Sequence, residues 1–489
     1  MPLSRSATFL ATLLATPVLF ADAPKDAPRP IPLTRPEMKQ LIEDVKVRTP
    51  RIPLPELTEA EREAAGNQRD SYEGRLRQHY LSGMEEARGG FGGRGGPGPG
   101  GQPGGGPPGG SGGGARGPQD PDMTLDNAFK VELFWIVSRA NNCQYCLGHQ
   151  ESKLLGAGLS EDRIAALDSN WMEFPDGDQV AFAFARKFTY QPHLLNDQDI
   201  VGLRKHFTDK QILEMILSMA GNNSINRWKE GVGVPQRKDE GGYSRIGQRN
   251  DGPAPPADPK RPSGSYLTPT STVYEKRVTQ VAPLALDPKT GEPTTQTVCV
   301  RPELETAAEV ADRLAAAKTR VSRLPLVEEE EARKAVGENW TAAGPLPNWV
   351  RLLATFSRTG GSQVKRIVSS EQKGDLSPLL KAQLAWIIAR QDRAWYALGE
   401  AQKRLKALGQ TDEQIAALDG DWKSFPTREQ SLFVVAKKLG ASPVVLTDSE
   451  VARAVEAAGP RDVVQTVSYT TNRASFNRIT EAAGLPIEP

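Results

Sequence analysis

Within Asn141-Asn142-Cys143-Gln144-Tyr145-Cys146-Leu147-Gly148-His149 the chain gathers two of its three cysteines and one of its four histidines. Thiols at C-x-x-C spacing can close a small disulfide, bind a metal, or cycle between dithiol and disulfide. Asn142 is placed to cap a helix carrying Cys143 in its first turn. There the positive end of the helix dipole would lower the thiol's pKa and favour thiolate. Cys146 follows one turn on and His149 one turn after that. On a helix the imidazole therefore shares a face with Cys146, where it can accept the thiol proton or hold a thiolate as an ion pair. Glu132, on the preceding apolar run, is a further candidate that would tune His149 or relay protons; its plainer use is as a solvated or capping glutamate. Tyr145 reads as packing.

Other uses of the cysteines narrow unevenly. Haem attachment needs C-x-x-C-H, and Leu147 stands where that histidine belongs. Zinc would draw on both thiols and His149, with His193 or His206 as a fourth ligand, but the chain has no second C-x-x-C and no paired histidines. A thioredoxin-like motif needs a βαβ setting, which the surrounding pattern does not supply. A structural disulfide stays open. No cofactor and no resident metal is expected.

The elements that must position these residues are helical. Residues 131–140 are apolar nearly all round, as in a buried helix. Further helices are expected at 143–156, 160–167, 178–188, 197–206 and 209–228. Ser160, Asp197 and Thr208 are placed as caps, and Gly156, Gly158 and Gly231 as stops. Before them, 36–47 and 58–84 read as helices joined by the extended Arg51-Ile52-Pro53-Leu54-Pro55. Short strands are expected at 272–281 and 295–300, within a linker that also carries the lone, incidental Cys299.

Composition sets outer limits. In 489 residues, 61 Lys and Arg stand against 60 Asp and Glu, so no global field favours nucleic acid. Hydrophobic residues make up 38%, with 46 glycines and 39 prolines, so linkers take much of the chain. Residues 1–21 read as a secretory signal, with Arg5 before an apolar run too short to span a bilayer comfortably. Export to a periplasmic or extracellular setting, with no membrane association after signal removal, is expected. The run at 88–118 is a Gly/Pro tether; its few arginines and single Phe91 make a poor RNA-binding tract.

An internal repeat organises the rest. Leu133 through Pro235 recurs without gaps as Leu384 through Pro486, a constant offset of 251. Trp135 falls on Trp386, Tyr145 on Tyr396, Gly148 on Gly399, Ile164 to Asp168 on Ile415 to Asp419, and Asn226-Arg227 on Asn477-Arg478. Cys143, Cys146 and His149 fall on Ala394, Ala397 and Glu400. Three reactive side chains vanish together while their framework persists, which favours a functional trio. By the same logic the surviving Asn-Arg pair is structural, bonding helix ends or the contact between copies. Arg51-Ile52-Pro53-Leu54 resembles Arg323-Leu324-Pro325-Leu326, so each copy owns an N-terminal preface.

At these residues the chain resembles the AhpD-like alkylhydroperoxidase and carboxymuconolactone decarboxylase family. The buried helix, the Asn-Asn-Cys-Gln-Tyr-Cys-Leu-Gly-His run, Gly158-Leu159-Ser160 and the closing Asn226-Arg227 with Gly233-Val234-Pro235 carry the likeness. It covers about 124–236 well and 382–489 as a degenerate copy. The resemblance implies an all-α fold that usually oligomerises and a dithiol peroxidase activity. Carried over, Cys146 attacks the hydroperoxide, Cys143 closes the disulfide, His149 accepts the proton and Glu132 is a candidate relay acid. The family histidine often stands four residues after the second cysteine, where this chain has Gln150.

The expected organisation is a signal at 1–21, a helical preface at 22–87, the tether at 88–118, and a thiol-bearing AhpD-like domain at 119–236. A linker at 237–300 leads to a second copy at 301–489. The copies would form a pseudo-dimer, alone or within a homo-oligomer, acting on a hydroperoxide with an unidentified dithiol reductant and without nucleic acid. The alternative is a non-enzymatic helical scaffold or binding module pinned by a structural disulfide.

Overall fold

Thr34 opens the first helix with a capping box: its hydroxyl accepts the Glu37 N–H, and the Glu37 carboxylate accepts the Thr34 N–H. This helix, α1 (Arg35–Asp44), is followed by α2 (Tyr72–Tyr80), which Ser71 caps. The computed structural model describes residues 26–56, 71–82, 120–238, 264–267 and 304–488, the isolated positions 59, 84 and 241, and strand residues 284–286 and 293–297. The signal run, the Gly/Pro tether, Cys299 and the strand expected at 272–281 lie outside the described residues, as does much of the helix expected at 58–84.

Six helices form the first half: α3 (Asn127–Ala140), α4 (Gln144–Gly156), α5 (Glu161–Ser169), α6 (Asp176–Tyr190), α7 (Asp197–Arg204) and α8 (Asp209–Val232). Nine more follow: α9 (Ala307–Lys318), α10 (Glu329–Val336), α11 (Asn348–Leu353), α12 (Ser357–Gln372), α13 (Pro378–Asp392), α14 (Trp395–Ala407), α15 (Asp412–Ala416), α16 (Thr427–Gly440) and α17 (Asp448–Ala483). Among the described residues the fold is all-α, apart from a short antiparallel ribbon, β1 (Leu284–Leu286) with β2 (Pro293–Thr297). That second strand overlaps the one expected at 295–300.

Local chemistry moved several expected boundaries. Asp126 accepts the Ala128 and Phe129 N–H groups, so α3 begins before its apolar run. Asn196, not Asp197, caps α7, whereas Ser160 and Thr208 cap as expected. Gly231 does not stop α8. A Cβ there would lie 2.7 Å from Val467 Cγ1, so the glycine permits close approach to α17. The helix ends at Gly233, whose φ of 69° suits a residue without a side chain.

Helix starts recur along the chain: Asn127 falls on Pro378, Gln144 on Trp395, Glu161 on Asp412, Asp176 on Thr427 and Asp197 on Asp448. One joint differs. Where Thr208 separates α7 from α8, Gly459 (φ 81°) and Pro460 merely break α17. Proline lacks the N–H that would continue the first segment, and its fixed φ suits the first turn of the second.

A single apolar cluster joins both halves, including Trp135, Phe182 and Ile216 from the first and Trp386, Phe433 and Val467 from the second. Polar bonds cross between the halves in matched pairs. Arg51 bonds the Glu230 carbonyl of its own half and the Asp448 carboxylate of the other, while Arg323 bonds the Glu481 carbonyl of its own half and the Asp197 carboxylate of the other. Deeper, Arg227 donates to the Gly440 carbonyl at 3.2 Å, and Arg478 to the Thr189 carbonyl at 2.9 Å. Arg227 with Arg478 and every acceptor pair stand at the offset of 251, while Arg51 and Arg323 occupy matching places in the two prefaces. Arg227 and Arg478 thus stand at the contact between halves, while Asn226 bonds Asn141 and Ser138, and Asn477 bonds Asp392, each at a helix end of its own half.

The preface is clamped by buried charge. Arg35 on α1 reaches Glu151 on α4 at 2.5 Å and Glu161 on α5 at 2.6 Å, and Lys39 bridges the same two carboxylates. Arg35, Lys39 and Glu151 are all buried. Removing one partner of such a network strands the others without compensation. Glu151→Gln should therefore lower the unfolding free energy by about 3–5 kcal/mol and speed proteolysis of the preface. Urea titration and timed digestion measure both effects.

Candidate functional site

The α3–α4 corner sets the thiols. Asn142 takes a left-handed conformation (φ 55°), turning the chain so that the Cys143 N–H donates to the Ser138 carbonyl at 2.9 Å. Cys143 itself is the N-cap of α4, correcting the role expected of Asn142. The Asn142 amide instead donates to the Pro30 carbonyl of the preface at 3.0 Å and accepts from Gln144 at 2.7 Å. Gly148 permits the crowding beyond: a Cβ there would meet Gln236 Nε2 at 2.7 Å and Ile42 Cγ2 at 2.9 Å.

Cys143 and Cys146 are both free thiols and form a close pair at 3.1 Å. Their environments differ. Burial pushes the Cys143 thiol well above its ordinary value, Cys146 and the Glu230 carboxylate add to that, and the Cys146 backbone N–H opposes it. The helix-lowered Cys143 expected from sequence is thereby corrected. A helix terminus contributes at most about 2 kcal/mol, whereas full burial of a charge contributes roughly 4 kcal/mol or more.

His149 is half-buried one turn beyond Cys146, with its ring 4.8 Å from that of Tyr145. Cys143, Cys146 and His149 thus lie on one helix end, as the spacing predicts. Glu132 is placed differently. It is buried on α3, and burial raises its carboxyl to about 7, with Asp178 and Asp126 adding and Arg163 opposing. Its charged neighbours belong to α5, α6 and the α3 cap; the carboxylate that acts most strongly on Cys143 is Glu230. His193 stands 2.9 Å from Arg393, and His206 packs near Phe207, so neither joins the thiols.

Several neighbours of the thiols escaped the sequence reading. Lys229 on α8 lies 4.1 Å from the Tyr145 ring centroid and pairs with Glu73 of α2. Burial disfavours its charge, but Glu73 and Tyr145 hold it, and Cys146 adds to the same effect. Burial would raise Glu73, yet Lys229 and Arg77 hold its carboxyl down at about 2. Glu230 is gathered by Arg29 and Arg48 at 3.1 Å each. Within the expected linker, Tyr266 is fully buried and donates to Gln236, whose amide in turn donates to the Tyr145 carbonyl, both at 2.8 Å. The repeat held one signal for Lys229, because its counterpart is Thr480: the cation is lost along with the thiols.

No family model matches the chain, and no curated protein matches it either. Among the described residues, no helix is long and apolar enough to cross a membrane.

Because burial raises Glu132 to about 7, this carboxyl keeps its proton in the folded protein between pH 4.5 and about 7, where the unfolded chain loses it. The stability this group contributes should be lost as pH rises through that window, and Glu132→Gln should reduce the wild-type fall, to which Glu400 also contributes, without altering cysteine alkylation. Urea midpoints across the range, with alkylation rates alongside, test both halves of this expectation.

Proposed function

We propose that the chain is a thiol-dependent hydroperoxidase or disulfide redox protein using Cys143 and Cys146 with His149. The observation that carries the reading is a close dithiol whose two members have unequal surroundings, in a repeat whose other copy lacks both cysteines and the histidine together. Burial disfavours thiolate at Cys143, which leaves Cys146 as the attacking sulfur.

The Cys146 sulfur, its proton passed to His149, attacks the terminal oxygen of ROOH. An S–O bond forms as O–O breaks, and the alkoxide leaves as ROH with that proton. The Cys143 sulfur then displaces the sulfenic oxygen as water, forming S–S, so the thiols give two electrons in all. A dithiol reductant must be oxidised to restore them. Glu132 is not assigned a step, since its charged neighbours lie elsewhere.

The same proposal treats 119–236 and 301–489 as two copies of one AhpD-like domain, joined as a pseudo-dimer in an exported chain. The paired Arg227 and Arg478 bonds and the paired Arg51 and Arg323 bonds support the duplication. The signal-like run at 1–21 supports export.

One observation favours the scaffold reading instead: the cysteines are only 0% and 2% exposed, as in an inert staple. Thiol titration under mild reductant separates the two, because a working pair cycles and a staple does not. Purified protein should consume an organic hydroperoxide when a dithiol reductant is present. Cys146→Ser should abolish turnover, and Cys143→Ser should leave a sulfenic acid that dimedone traps. Equal turnover in Cys146→Ser would overturn the proposal.

A further inference from the structure

Both sulfurs are buried, so the chemistry above needs a cover that opens. We propose that the segment 264–267 is a strap that holds this cover shut: Tyr266, wedged between α1 and α4, keeps the preface closed over the thiol corner, and its release lets reactants reach Cys143 and Cys146. The inference rests on the dithiol reading, although its test does not use peroxide turnover.

The cover is the start of the preface. The Asn142 amide, next to Cys143, donates to the Arg29 and Pro30 carbonyls at 3.3 and 3.0 Å, and Arg139 donates to the Pro32 carbonyl at 2.8 Å. Residues 29–32 therefore lie along the α3–α4 corner and lead straight into α1. Tyr266 ties α1 to α4. Its N–H donates to Glu43 of α1 at 2.8 Å, and Lys46 donates to the Gly264 carbonyl. Its hydroxyl donates to Gln236, whose amide donates to the Tyr145 carbonyl, both at 2.8 Å. That carbonyl belongs to the peptide bond joining Tyr145 to Cys146. The ring fills the space over Gly148, where a Cβ would lie 2.9 Å from both Tyr266 Cζ and Ile42 Cγ2.

The second copy closes the same space differently. Gly399 stands at the Gly148 position, and a Cβ there would meet Ile487 Cδ1 at 2.8 Å. Ile487 falls on Gln236, and both dock alike on their own preface: the Gln236 N–H donates to the Val45 carbonyl and the Ile487 N–H to the Ala317 carbonyl, each at 3.1 Å. The prefaces are offset by 272, since Thr34 and Arg51 fall on Thr306 and Arg323, and this sets Ala315 at the place of Glu43. Where no thiol lies beneath, an apolar side chain of the domain itself fills the gap, and the carboxylate seat for a strap is gone. Where the thiols lie, the filler comes from a separate segment seated by polar bonds. Its release strands no buried charge, because Glu43 and Lys46 keep each other at 2.7 Å. Opening the Arg35–Glu151 network instead would leave buried ions uncompensated. The strap is thus the contact that opens first.

The test uses the full reduced chain at one fixed pH. Iodoacetamide alkylation is followed by peptide mass, so that Cys143 and Cys146 are read apart from Cys299. Tyr266→Ala should speed alkylation of the pair by about tenfold or more. Ile487→Ala, which removes the matching filler of the second copy, should leave the rate at the wild-type value. A folded Tyr266→Ala chain that alkylates no faster than wild type would overturn the proposal. So would an Ile487→Ala chain that alkylates as fast as Tyr266→Ala, because loosening anywhere in the fold would then suffice. Should Tyr266→Ala not fold, Tyr266→Phe decides, since it keeps the ring and loses the Gln236 bond: faster alkylation supports the strap, and a wild-type rate or a second failure to fold overturns it. Faster alkylation in a protein without hydroperoxide turnover would uphold the strap while removing the peroxidase reading. Turnover in wild type with an unchanged rate in Tyr266→Ala would do the reverse.

Discussion

The contact between the two long helices constrains everything around it. Arg227 and Arg478 are both fully buried where α8 and α17 cross, each reaching a helix-end carbonyl of the opposite half. They are not equivalent in charge. Asp392 faces Arg478 at 3.2 Å, whereas its counterpart Asn141 is neutral, and burial and Arg478 push Arg227 well below its ordinary value. Arg227 is held instead by the Asn223 side chain at 2.8 Å and the Ser442 hydroxyl at 2.6 Å. Ser442 also donates to Asn141, one residue before the corner that turns the chain into the thiols. The same crossing fixes where α8 presents Lys229 and Glu230. A shift of α8 along α17 would therefore move the cation and the carboxylate of the site together.

That coupling explains why the site is assembled from distant stretches. One helix end carries both sulfurs and the imidazole, but their surroundings come from the preface, the last turn of α8 and a short docked segment at 264–267. The preface contributes by charge as well as by cover. Its arginines 29 and 48 take Glu230, and its Glu73 takes Lys229, so each buried charge near the thiols meets an opposite one supplied by residues 26–80. Unpaired, such groups would cost several kcal/mol each.

Local pattern made the helices legible. Capping residues and apolar periodicity gave most of the elements, and failures came where a nearby side chain had a stronger claim, as when Asn196 displaced Asp197. Gly231 misled because a glycine required by close helix packing looks the same in sequence as one that ends a helix. For the site, spacing alone brought Cys143, Cys146 and His149 together, since all three lie on one helix end. Glu73 and Lys229 meet through tertiary packing across 156 positions of chain, which no local pattern encodes. The Cys143 environment was misread for a related reason: the helix dipole is visible in sequence, whereas the depth of burial is not.

The second copy shows what the same framework does once the thiols are gone. Glu481 turns its carboxylate to the start of α14 and accepts the Tyr396 N–H at 3.3 Å, occupying the positive helix end. In the first copy α4 has no side-chain cap, and the equivalent Glu230 is drawn off by the preface arginines. Glu400, at the His149 position, is raised by burial to about 7, and Arg473 stands near it at 3.9 Å where the first copy has Asn222. Arg473 also joins Arg404 and Tyr469 around Glu371. One copy thus spends its helix terminus and its buried charges on mutual neutralisation. In the other, Glu230 is held by the preface arginines and the α4 terminus has no side-chain cap.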